Sequence, residues 1–583
     1  MLQHEPLQRV LYIDLSRRRF WVDYRPEVFE RYIGGVGVAT ALLHEECPEG
    51  TDPLGLDNPI IFAVGPLVGL FPMASKTVAM FKSPHTGNLG ESHAGGRSAV
   101  SIRMAGYGAI VIKGASNTPV YITVFNDKVQ FHDGRGIWGM KSNLAARALR
   151  EREPGSGMRT IMRIGVGGER LVSYACLNTE TYRHFGRLGL GAVFGSKKLK
   201  AIIIGGKHSL SVADKKGYKK SYDEIFKQLL SSPSLKKYHD LGTVLNISHL
   251  NKLKALPTRN LQSPFFEEAE KISAEHLAEN YLGRRIACTH CPMACIHLAA
   301  LREPYEDESY FYKTTFTSYD YEPIYALGAM LGISDVRGVL RLLDEVEVLG
   351  LDAITTGVVM AWTTEAFQKG LITGKETLGL EPAWGRYQTY IEIVKNIVSQ
   401  PNRFYKAIAK GVEYASEIYG GKDFALAFGK NEMSGYHTGY GSHLTLLAGS
   451  RHSHLDSAGY NFDQNFLGKE NLSPEAYAQR IFAEEAYRQI LSSLVICFFA
   501  RGVYGYPTIA HLLKIAGFDL PEGDLKELGE EILREKYRFK LREGFSLDNL
   551  RIPKRILETP SPYGELKEDF FKQALIAYKR FFQ

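Results

Sequence analysis

Short apolar runs interrupted by glycine occupy the first two hundred residues of the chain. Each run is rich in β-branched and aromatic residues and ends near Gly, Asn or Pro, which is typical of buried strands. The runs are VLYIDL (10–15), IIFAVG (60–65), SAVSIRM (98–104), AIVIKG (109–114), VYITVF (120–125) and KAIIIGG (200–206). Asn126 and Asp127 predict a hairpin turn, and residues 141–153 predict a helix. The pattern predicts a β-rich N-terminal domain over residues 1–210.

From about residue 211 the apolar positions recur at the helical interval, with Lys and Glu between them. The segment GGKDFALAFGK interrupts this pattern near residue 420. We therefore expect two mainly helical domains, over residues 211–420 and 421–583, after the β-rich base. No repeat of fixed period is visible in the sequence. The predicted fold class is α+β.

The composition is that of an ordinary folded protein, with 44% hydrophobic and 23% charged residues among 583. The formal net charge, 71 − 64 = +7, is too small to indicate a nucleic-acid partner. The most apolar stretch, 59–81, contains Lys76 and several Gly and Pro, so we expect no membrane span. The chain start lacks an apolar signal core, and six cysteines suit a reducing compartment. We expect a soluble protein of the cytoplasm.

Four of the six cysteines form one pattern, a closely spaced triplet and a distant fourth residue. They are Cys288, Cys291, Cys295 and Cys497. Four thiolates suit a 4Fe–4S cluster or a structural zinc ion, and buried thiols without a metal are a third alternative. A zinc site more often consists of two CxxC pairs, but His290 and His297 keep a Cys₃His zinc site open. Pro292 predicts a helix start, where the helix dipole would favour the preceding thiolates.

Glycine is enriched, at 57 of 583 residues, and three segments concentrate it next to basic residues. These segments are 65–76, 87–97 and 183–198. Glycine allows backbone N–H groups to approach a phosphate, and Arg adds a bidentate charge. None of the three matches a Walker loop or a dinucleotide-binding GxGxxG turn. From the residues alone, they are either anion cradles or the glycines of tight turns.

In order and spacing, many motifs resemble those of the tungsten-dependent aldehyde:ferredoxin oxidoreductases. They are SPHTGNLGESHAGGR, AGYGAIVIKGAS, GRLGLGAVFGSKKLKAI, the cysteine triplet, YEPIYALGAMLG, LGLDAITTG, SRHSHLD and KLREGFSLDNLRIPKR. The resemblance runs over nearly the whole chain. It implies an oxidoreductase in which a β base and two helical domains enclose a buried tungsten–bis-pterin cofactor, with a 4Fe–4S cluster beside it. The motifs hold the pterin and not the metal, so molybdenum remains an alternative to tungsten.

The resemblance also implies which residues form the cofactor site. The cluster ligands would be Cys288, Cys291, Cys295 and Cys497, and Lys76 would bridge the cluster to a pterin. The pterin phosphates would be held by Gly95, Gly96, Arg183 and Arg187, with His93 and the His184 carbonyl near a bridging Mg²⁺. Two further motifs would hold the pterin rings: Glu347, Gly350, Leu351 and Asp352 in the first, and Ser492 and Ile496 in the second.

The chain departs from the family pattern at several of these positions. Lys76 stands for the usual Arg, His93 for Asn and Glu347 for Asp. In the second pterin motif Ser492 replaces Asp and Val495 replaces Gly. Segment 492–497 is therefore either an altered pterin contact or an apolar helix that only delivers Cys497.

For catalysis, the resemblance implies that Glu322 is the base or water-orienting carboxylate and that His454 donates to the substrate carbonyl oxygen. Asp320 is a second acidic candidate. The alternative for each is a hydrogen-bonded core residue. Polar residues near His454, together with the segment 435–439, differ from the common family pattern and flank the expected substrate channel. They are Arg451, His452 and Asp456. We therefore expect a substrate unlike that of the best-known members.

The expected reaction is the oxidation of an aldehyde to its carboxylic acid, with electrons passing through the cluster to ferredoxin or a ferredoxin-like iron–sulfur subunit. A first alternative is the tungsten–pterin catalytic subunit of a larger complex, such as an aromatic acyl-CoA reductase. A second is a zinc-stabilised binding protein without a redox role. The oligomeric state stays open between a homodimer and a heteromer.

Overall fold

The first six strands of the N-terminal region form one mixed sheet. A computed structural model describes residues 7–153, 155, 158–210, 212, 214–305, 308–469 and 472–583, so the first six residues of the expected signal-free start lie outside it. The strands are β1 (Arg9–Asp14), β2 (Arg19–Tyr24), β3 (Ile60–Ala63), β4 (Thr77–Lys82), β5 (Leu89–Ala94) and β6 (Ala109–Lys113). Their order is β2-β1-β6-β3-β4-β5, and only the β1–β6 pair is parallel.

The next six strands form a second sheet with the same topology. They are β7 (Val120–Phe125), β8 (Lys128–Asp133), β9 (Arg159–Arg163), β10 (Leu177–Thr179), β11 (Arg183–Phe185) and β12 (Leu199–Gly205). Their order is β8-β7-β12-β9-β10-β11, with β7–β12 as the parallel pair. Each strand of the second sheet thus has the same position as the strand of the first sheet whose number is six lower. The sequence shows no fixed period because the two halves share strand order and differ in their connections.

Six helices accompany the two sheets: α1 (Pro26–Tyr32), α2 (Gly35–Glu46), α3 (Ser98–Ala105), α4 (Ser142–Arg152), α5 (Val166–Glu169) and α6 (Leu190–Ser196). In the two halves, α3 and α6 occupy the same place, between an edge strand and the parallel strand. The strand predicted at 98–104 is therefore wrong, because this segment is α3. It is buried almost all round, so its apolar residues carry no helical stripe that could distinguish it from a buried strand.

The second region is mainly helical and contains a small sheet that the sequence pattern did not predict. Its antiparallel strands are β13 (Leu282–Ile286), β14 (Ile296–Tyr305) and β15 (Glu308–Tyr319). The helices are α7 (Lys215–Ser231), α8 (Pro233–Leu241), α9 (Asn246–Lys252), α10 (Ala274–Asn280), α11 (Tyr321–Leu327), α12 (Val336–Leu349), α13 (Ala353–Gln368), α14 (Gly374–Thr377), α15 (Tyr387–Ser399), α16 (Arg403–Ile408) and α17 (Val412–Tyr419). The cysteine triplet lies between β13 and β14.

The third region begins with a two-residue ribbon, β16 (Ala427–Phe428) and β17 (Asn431–Glu432). Its helices are α18 (Tyr440–Ala448), α19 (Gly459–Phe466), α20 (Pro474–Ser493), α21 (Tyr506–Ala516), α22 (Glu522–Arg542), α23 (Lys554–Glu558) and α24 (Glu568–Lys579). Helices α20 and α22 pack against α2 and share an apolar core with the N-terminal sheets. Helices of the third region thus pack against the N-terminal region. No helix in the described ranges is long and apolar enough to cross a membrane.

Candidate functional site

The two halves of the N-terminal region meet along their edge strands, β5 and β11. Glycines follow each strand at this seam, with Gly95 and Gly96 after β5 and Gly186 after β11. Gly96 has a φ of +108°, which residues with a side chain rarely adopt. A Cβ on Gly186 would meet no atom within 4 Å, although the neighbouring Phe185 is buried. Gly186 therefore borders open space at the seam, whereas a Cβ on Gly96 would lie 3.1 Å from Glu180 Cγ.

Three buried nitrogen atoms face the same region without a hydrogen-bond partner in the described chain. They are Arg183 Nε, His184 Nε2 and Arg187 Nη1. The remaining nitrogens of Arg187 are occupied: Nε lies 3.2 Å from Asp352 Oδ2, and Nη2 donates to the Glu432 carbonyl at 2.8 Å. Buried polar atoms are rarely left unpaired. The open space at Gly186, the positive φ of Gly96 and the unpaired donors of the two arginines together fit the phosphate groups that the resemblance assigns to this segment.

The four cysteines of the pattern lie on two segments that are held by the same stretch of backbone. Met73 N–H donates to the His290 carbonyl at 3.0 Å, and Cys497 N–H donates to the Met73 carbonyl at 2.9 Å. All four thiols are free and partly buried. Burial, followed by the charges of Cys497 and Cys288, raises the pKa of both Cys291 and Cys295 to about 12. The four sulfur atoms are thus near neighbours, a donor set whose chemistry fits an iron–sulfur cluster.

The predicted helix start at Pro292 is wrong. The segment from Cys288 to Cys295 is a turn and a bend, with φ of +57° at His290 and +48° at Ala294. Positive φ angles do not continue into a helix, so no helix begins at Pro292. Among the residues that the structure describes, no three His, Cys, Asp or Glu side chains are arranged to hold a single metal ion.

Lys76 and Arg183 lie close to Gly95, the glycine that adjoins Cys288. A Cβ on Gly95 would be 2.6 Å from Cys288 Sγ, 3.7 Å from Lys76 Nζ and 3.8 Å from Arg183 Nε. Both cations therefore lie within a few ångströms of one backbone position beside Cys288. Thr289 ties the cysteine turn to the cradle, since its N–H donates to the Gly96 carbonyl at 3.0 Å. The cysteine site and the anion site are adjacent.

The first pterin motif ends helix α12 and begins α13. Gly350 terminates α12 with a φ of +78°, and Asp352 accepts from the N–H groups of Ile354 and Thr355 at 3.1 and 3.3 Å. Glu347 Oε1 lies 3.8 Å from His184 Nε2. Burial, with the nearby Asp344 and Asp320 carboxylates, raises the pKa of Glu347 well above its ordinary value. The Asp352 carboxylate is thus hydrogen-bonded to the start of α13, whereas the Glu347 carboxyl lies next to His184.

The second motif has the same backbone conformation as the first. It packs against the other half of the N-terminal region. Leu351 forms an isolated antiparallel bridge with Ala175, and Ile496 forms the corresponding bridge with Ala74. Val495 has a φ of +54°, in the place where Gly350 has +78°. A β-branched residue in this conformation is a genuine outlier. Segment 492–497 is therefore the structural counterpart of the first motif, with Ser492 buried at the end of α20.

Substitution of Val495 tests the strain of this left-handed turn. In an ordinary helix interior, a Gly variant is about 1 kcal/mol less stable than the Ala variant. At Val495 we expect the reverse, with Val495→Gly about 1 kcal/mol more stable than Val495→Ala, because Gly adopts positive φ without strain. Thermal unfolding measures both, with the buried Val339 of α12 changed to Ala and Gly as the matched pair. An equal penalty at the two positions would contradict a strained turn.

Glu322 and His454, the predicted catalytic pair, are in direct contact. His454 Nε2 lies 3.1 Å from Glu322 Oε1, and the Tyr436 hydroxyl donates to the same oxygen at 2.8 Å. Burial alone would raise the pKa of Glu322, but the hydrogen bonds from His454 and Tyr436 lower it below its ordinary value. His454 Nδ1 is buried without a partner in the described residues. Glu322 is therefore an ionised carboxylate at the base of a buried polar pair.

Asp320 lies next to this pair and behaves differently. Burial and the Glu322 charge raise the pKa of Asp320 to about 6, against the opposing effect of Arg183 and Lys76. Two neighbouring carboxylates with pKa values moved in opposite directions are suited to separate acid and base roles. Tyr436, which orders Glu322, was not predicted individually, although its segment was noted as unusual. A tyrosine hydroxyl brought from more than a hundred residues away leaves no local sequence signal.

The polar residues around His454 are buried and are hydrogen-bonded to one another and to neighbouring elements. The Asp456 carboxylate accepts from the N–H groups of Arg451 and Ser453, both at 3.0 Å, and lies 2.6 Å from Arg451 Nε. His452 contacts Lys540 Nζ at 3.0 Å. His437, in the unusual 435–439 segment, is buried against His443 at 3.0 Å. These buried contacts hold in place the loop that carries His454.

This loop is tied to the cradle by Glu91 of β5. Glu91 lies 2.7 Å from Lys536 Nζ, 2.7 Å from His93 Nε2 and 3.4 Å from Arg451 Nη1. Burial alone would raise the pKa of Glu91, but Lys536 and Arg451 hold it well below its ordinary value. The hydrogen bond to Glu91 thus occupies one ring nitrogen of His93, Nε2. The sequence did not indicate Glu91 or Lys536, which are joined by a long-range contact.

Comparison with known proteins gives matches over nearly all of the chain. Residues 10–206 match the family description "Aldehyde ferredoxin oxidoreductase, N-terminal domain", and residues 220–582 match "Aldehyde ferredoxin oxidoreductase, domains 2 & 3". The tungsten-containing aldehyde ferredoxin oxidoreductase of Thermococcus kodakarensis is 31% identical over 575 residues, 96% of this chain and 93% of its own. The protein of the same name from Pyrococcus furiosus is 30% identical over 578 residues, with the same coverage.

Two more distant matches carry other names. The WOR-like subunit of an aliphatic sulfonate oxidoreductase of Pyrococcus furiosus is 28% identical over 548 residues, 90% of this chain and 84% of its own. A chain of the BamBC active-site complex of benzoyl coenzyme A reductase has the same fold, with a TM-score of 0.84 at 20% identity, over 100% of this chain and 94% of the other. With both family matches spanning the α+β architecture, the chain belongs to the aldehyde ferredoxin oxidoreductase family.

Proposed function

We propose that the protein, an oxidoreductase of this family, converts an aldehyde to its carboxylic acid and passes the electrons through a 4Fe–4S cluster to a ferredoxin. The observation that carries the proposal is the Glu322–His454 contact, 3.1 Å long and ordered by Tyr436. The tungsten-containing relatives imply a tungstopterin, which when bound supplies the two-electron redox chemistry. The protein supplies position, charge and proton transfer.

In this proposal, Glu322 accepts the proton released as water adds to the substrate carbonyl. Its lowered pKa keeps it ionised near neutral pH, so it is ready to act as a base. His454 is hydrogen-bonded to Glu322 through Nε2, and its buried Nδ1 has no partner in the described residues. As an imidazolium, with both ring nitrogens protonated, it would donate from Nδ1 to the substrate oxygen. Asp320 serves as the second acid–base group, since its pKa of about 6 allows it to hold or release a proton.

The cofactor would be held by the two equivalent halves of the N-terminal region. Gly95, Gly96, Arg183 and Arg187 would hold the phosphates, and Lys76 would face both cluster and pterin. Glu347 and Ser492 would meet the two pterin rings at the matching turns that end in Leu351 and Ile496. A Mg²⁺ between the phosphates would lie near the His184 carbonyl, with Nδ1 of His93 left for it by the bond to Glu91.

The test is a metal count on anaerobically purified protein together with turnover of an aldehyde panel. We expect about four iron atoms and one tungsten or molybdenum per chain, and reduction of ferredoxin by at least one aldehyde. Zinc without tungsten or molybdenum, or a full metal content with no aldehyde oxidised, would contradict the proposal. Since the chain belongs to a family of oxidoreductases, we do not propose a zinc-stabilised binding protein.

A second candidate is the catalytic subunit of a larger complex. The observation that favours it is a row of exposed aromatic side chains on β15, the strand paired with the one that follows Cys295. Tyr310 is 92% exposed, Tyr312 53% and Phe316 44%. Clustered exposed aromatic residues are typical of interaction surfaces. Co-purification of iron–sulfur subunits with the native protein, together with inertness to free aldehydes, would favour this candidate over the first.

A further inference from the structure

Strand β2 forms the outer edge of the first N-terminal sheet. The strand order places β5 at the seam with the second sheet and β2 at the opposite end. Among the described residues, only β1 hydrogen-bonds to the backbone of β2. Every second residue of β2 therefore turns its N–H and C=O groups away from the sheet. Such an edge can pair with a further strand, so proteins usually protect it with charged side chains or cover it.

The side chains of β2 make this edge apolar. Four of its six residues are large, apolar and exposed: Phe20 is 41% exposed, Trp21 41%, Val22 36% and Tyr24 55%. Because neighbouring side chains of a strand point to opposite faces of the sheet, apolar surface is exposed on both faces of the edge. The four central residues of β1, one strand further in, are buried. A strand with this surface is suited to contact another protein chain.

The second sheet offers a comparison within the same molecule, because β8 has the position there that β2 has in the first sheet. In the register of the two hairpins, Gln130 of β8 corresponds to Trp21. The apolar residues of β8 are Val129, which is buried, and Phe131, which is half-buried, and the other four residues are polar. The edge of the second sheet is thus protected in the usual way. The exposed aromatic residues of β2 are therefore not a consequence of the fold.

Backbone geometry limits how β2 of a second copy of the chain can pair with this edge. In an antiparallel pair, two opposite residues both turn their N–H and C=O groups toward the partner strand or both turn them away. Since these directions alternate along a strand, opposite residues must be an even number of positions apart in the sequence. A two-fold axis between two β2 strands therefore passes through a residue and not between two residues. The residues nearest the middle of the strand are Trp21 and Val22.

Charge distinguishes the two possible registers. With the axis at Val22, Arg19 lies opposite Arg25 of the second copy, and like charges directly opposite each other are destabilising. With the axis at Trp21, Arg19 lies opposite Asp23 of the second copy, and symmetry forms this pair twice. Neither Arg19 nor Asp23 has an ion pair with a described residue, whereas Arg25 lies 3.0 Å from a Glu45 oxygen. The strand is thus complementary in charge to a second copy of itself.

We propose that β2 pairs antiparallel with β2 of a second copy of this chain, about a two-fold axis at Trp21, so that the first sheet continues from one subunit into the other. One face of the junction carries the two Trp21 rings between two Arg19–Asp23 ion pairs. Tyr12, which stacks on Trp21 with centroids 5.1 Å apart, extends the aromatic contact within each subunit. The axis lies at the end of the sheet opposite to β5 and the seam. Because one short strand buries a small interface, the dimer dissociates on dilution.

Charge reversal tests the register. Sedimentation of the purified protein over a concentration series should show a monomer–dimer equilibrium. Arg19→Asp and Asp23→Arg should each raise the dimer Kd roughly 10-fold or more, because symmetry changes two pairs at once and places like charges opposite each other. The double variant restores opposite charges and should return the Kd toward the wild-type value. Lys128→Asp is the matched control, since Lys128 has the place in β8 that Arg19 has in β2, and it should leave the Kd unchanged.

A cross-linking test locates the axis directly. In the proposed dimer a cysteine at position 21 lies opposite its own copy, so oxidised Trp21→Cys should form a disulfide-linked dimer. Gln130→Cys, at the equivalent position of β8, should give no more linked dimer than the wild type. A wild type that is monomeric at every concentration, or a dimer that both charge reversals leave unchanged, would overturn the proposal. A double variant as weak as the single ones would show that Arg19 and Asp23 do not pair.

Discussion

Replacement of Glu322 by Gln is expected to lower kcat for aldehyde oxidation about 10²- to 10⁴-fold, the usual contribution of a positioned acid–base group. Gln keeps the size of the side chain and an acceptor for Tyr436 but cannot take a proton. Because Glu322 holds His454 at 3.1 Å and Tyr436 at 2.8 Å, the variant also weakens the ordering of this pair. Anaerobic initial rates, with metal and pterin content measured on the same preparation, give the comparison.

Glu392→Gln is the matched control for this substitution, since Glu392 is 52% exposed and pairs with Lys395 on the surface. It should retain wild-type rates. A Glu322→Gln protein with full cofactor content and unchanged turnover would show that another group, with Asp320 as the first candidate, takes the proton. A loss of cofactor together with activity would place Glu322 in cofactor binding instead of catalysis.

Replacement of Cys497 by Ser is expected to remove most of the about four iron atoms per chain that one cluster contributes and to abolish electron transfer to ferredoxin. Serine is similar in size but supplies no thiolate. Backbone hydrogen bonds of Met73 to both segments join Cys497 to the triplet. Iron analysis and low-temperature paramagnetic resonance of the reduced protein measure the loss.

Cys47→Ala provides the control, because Cys47 is a buried lone thiol in the N-terminal core. This variant should keep the iron content of the wild type. If Cys497→Ser retains all of its iron and an unaltered resonance signal, Cys497 is not a ligand and the assignment of four cysteine ligands is wrong.

The α+β fold class was predictable because strand and helix signals in this chain are mostly local. The hairpin at Asn126 and Asp127 and the helix at 142–152 follow from turn residues and apolar spacing. Helix α3 was not predictable, since it is buried on almost all sides and so has no apolar stripe along one face. The sheet of β13, β14 and β15 was also missed. Its strands gain their stability from each other and from α12 and not from a regular apolar alternation.

The candidate site was predictable only where motifs carry it. The cysteine triplet, Glu322 and His454 stand in recognisable segments, and the last two proved to be in contact. Tyr436, Glu91 and Lys536 act through contacts between residues far apart in the chain, which no spacing rule indicates.

Because the two sheets have the same topology, each side of the site is built from its own set of residues, and the two sets can differ. Each half ends in its own edge strand, cradle and docked motif, joined through Ala175–Leu351 on one side and Ala74–Ile496 on the other. A substitution in one motif would therefore change the surroundings of one pterin of the proposed cofactor and leave those of the other pterin unchanged. Here one side retains a glycine turn with a carboxylate, and the other has Val495 with Ser492. The two pterins of the proposed cofactor would therefore have different surroundings, with a carboxylate at one and a hydroxyl at the other.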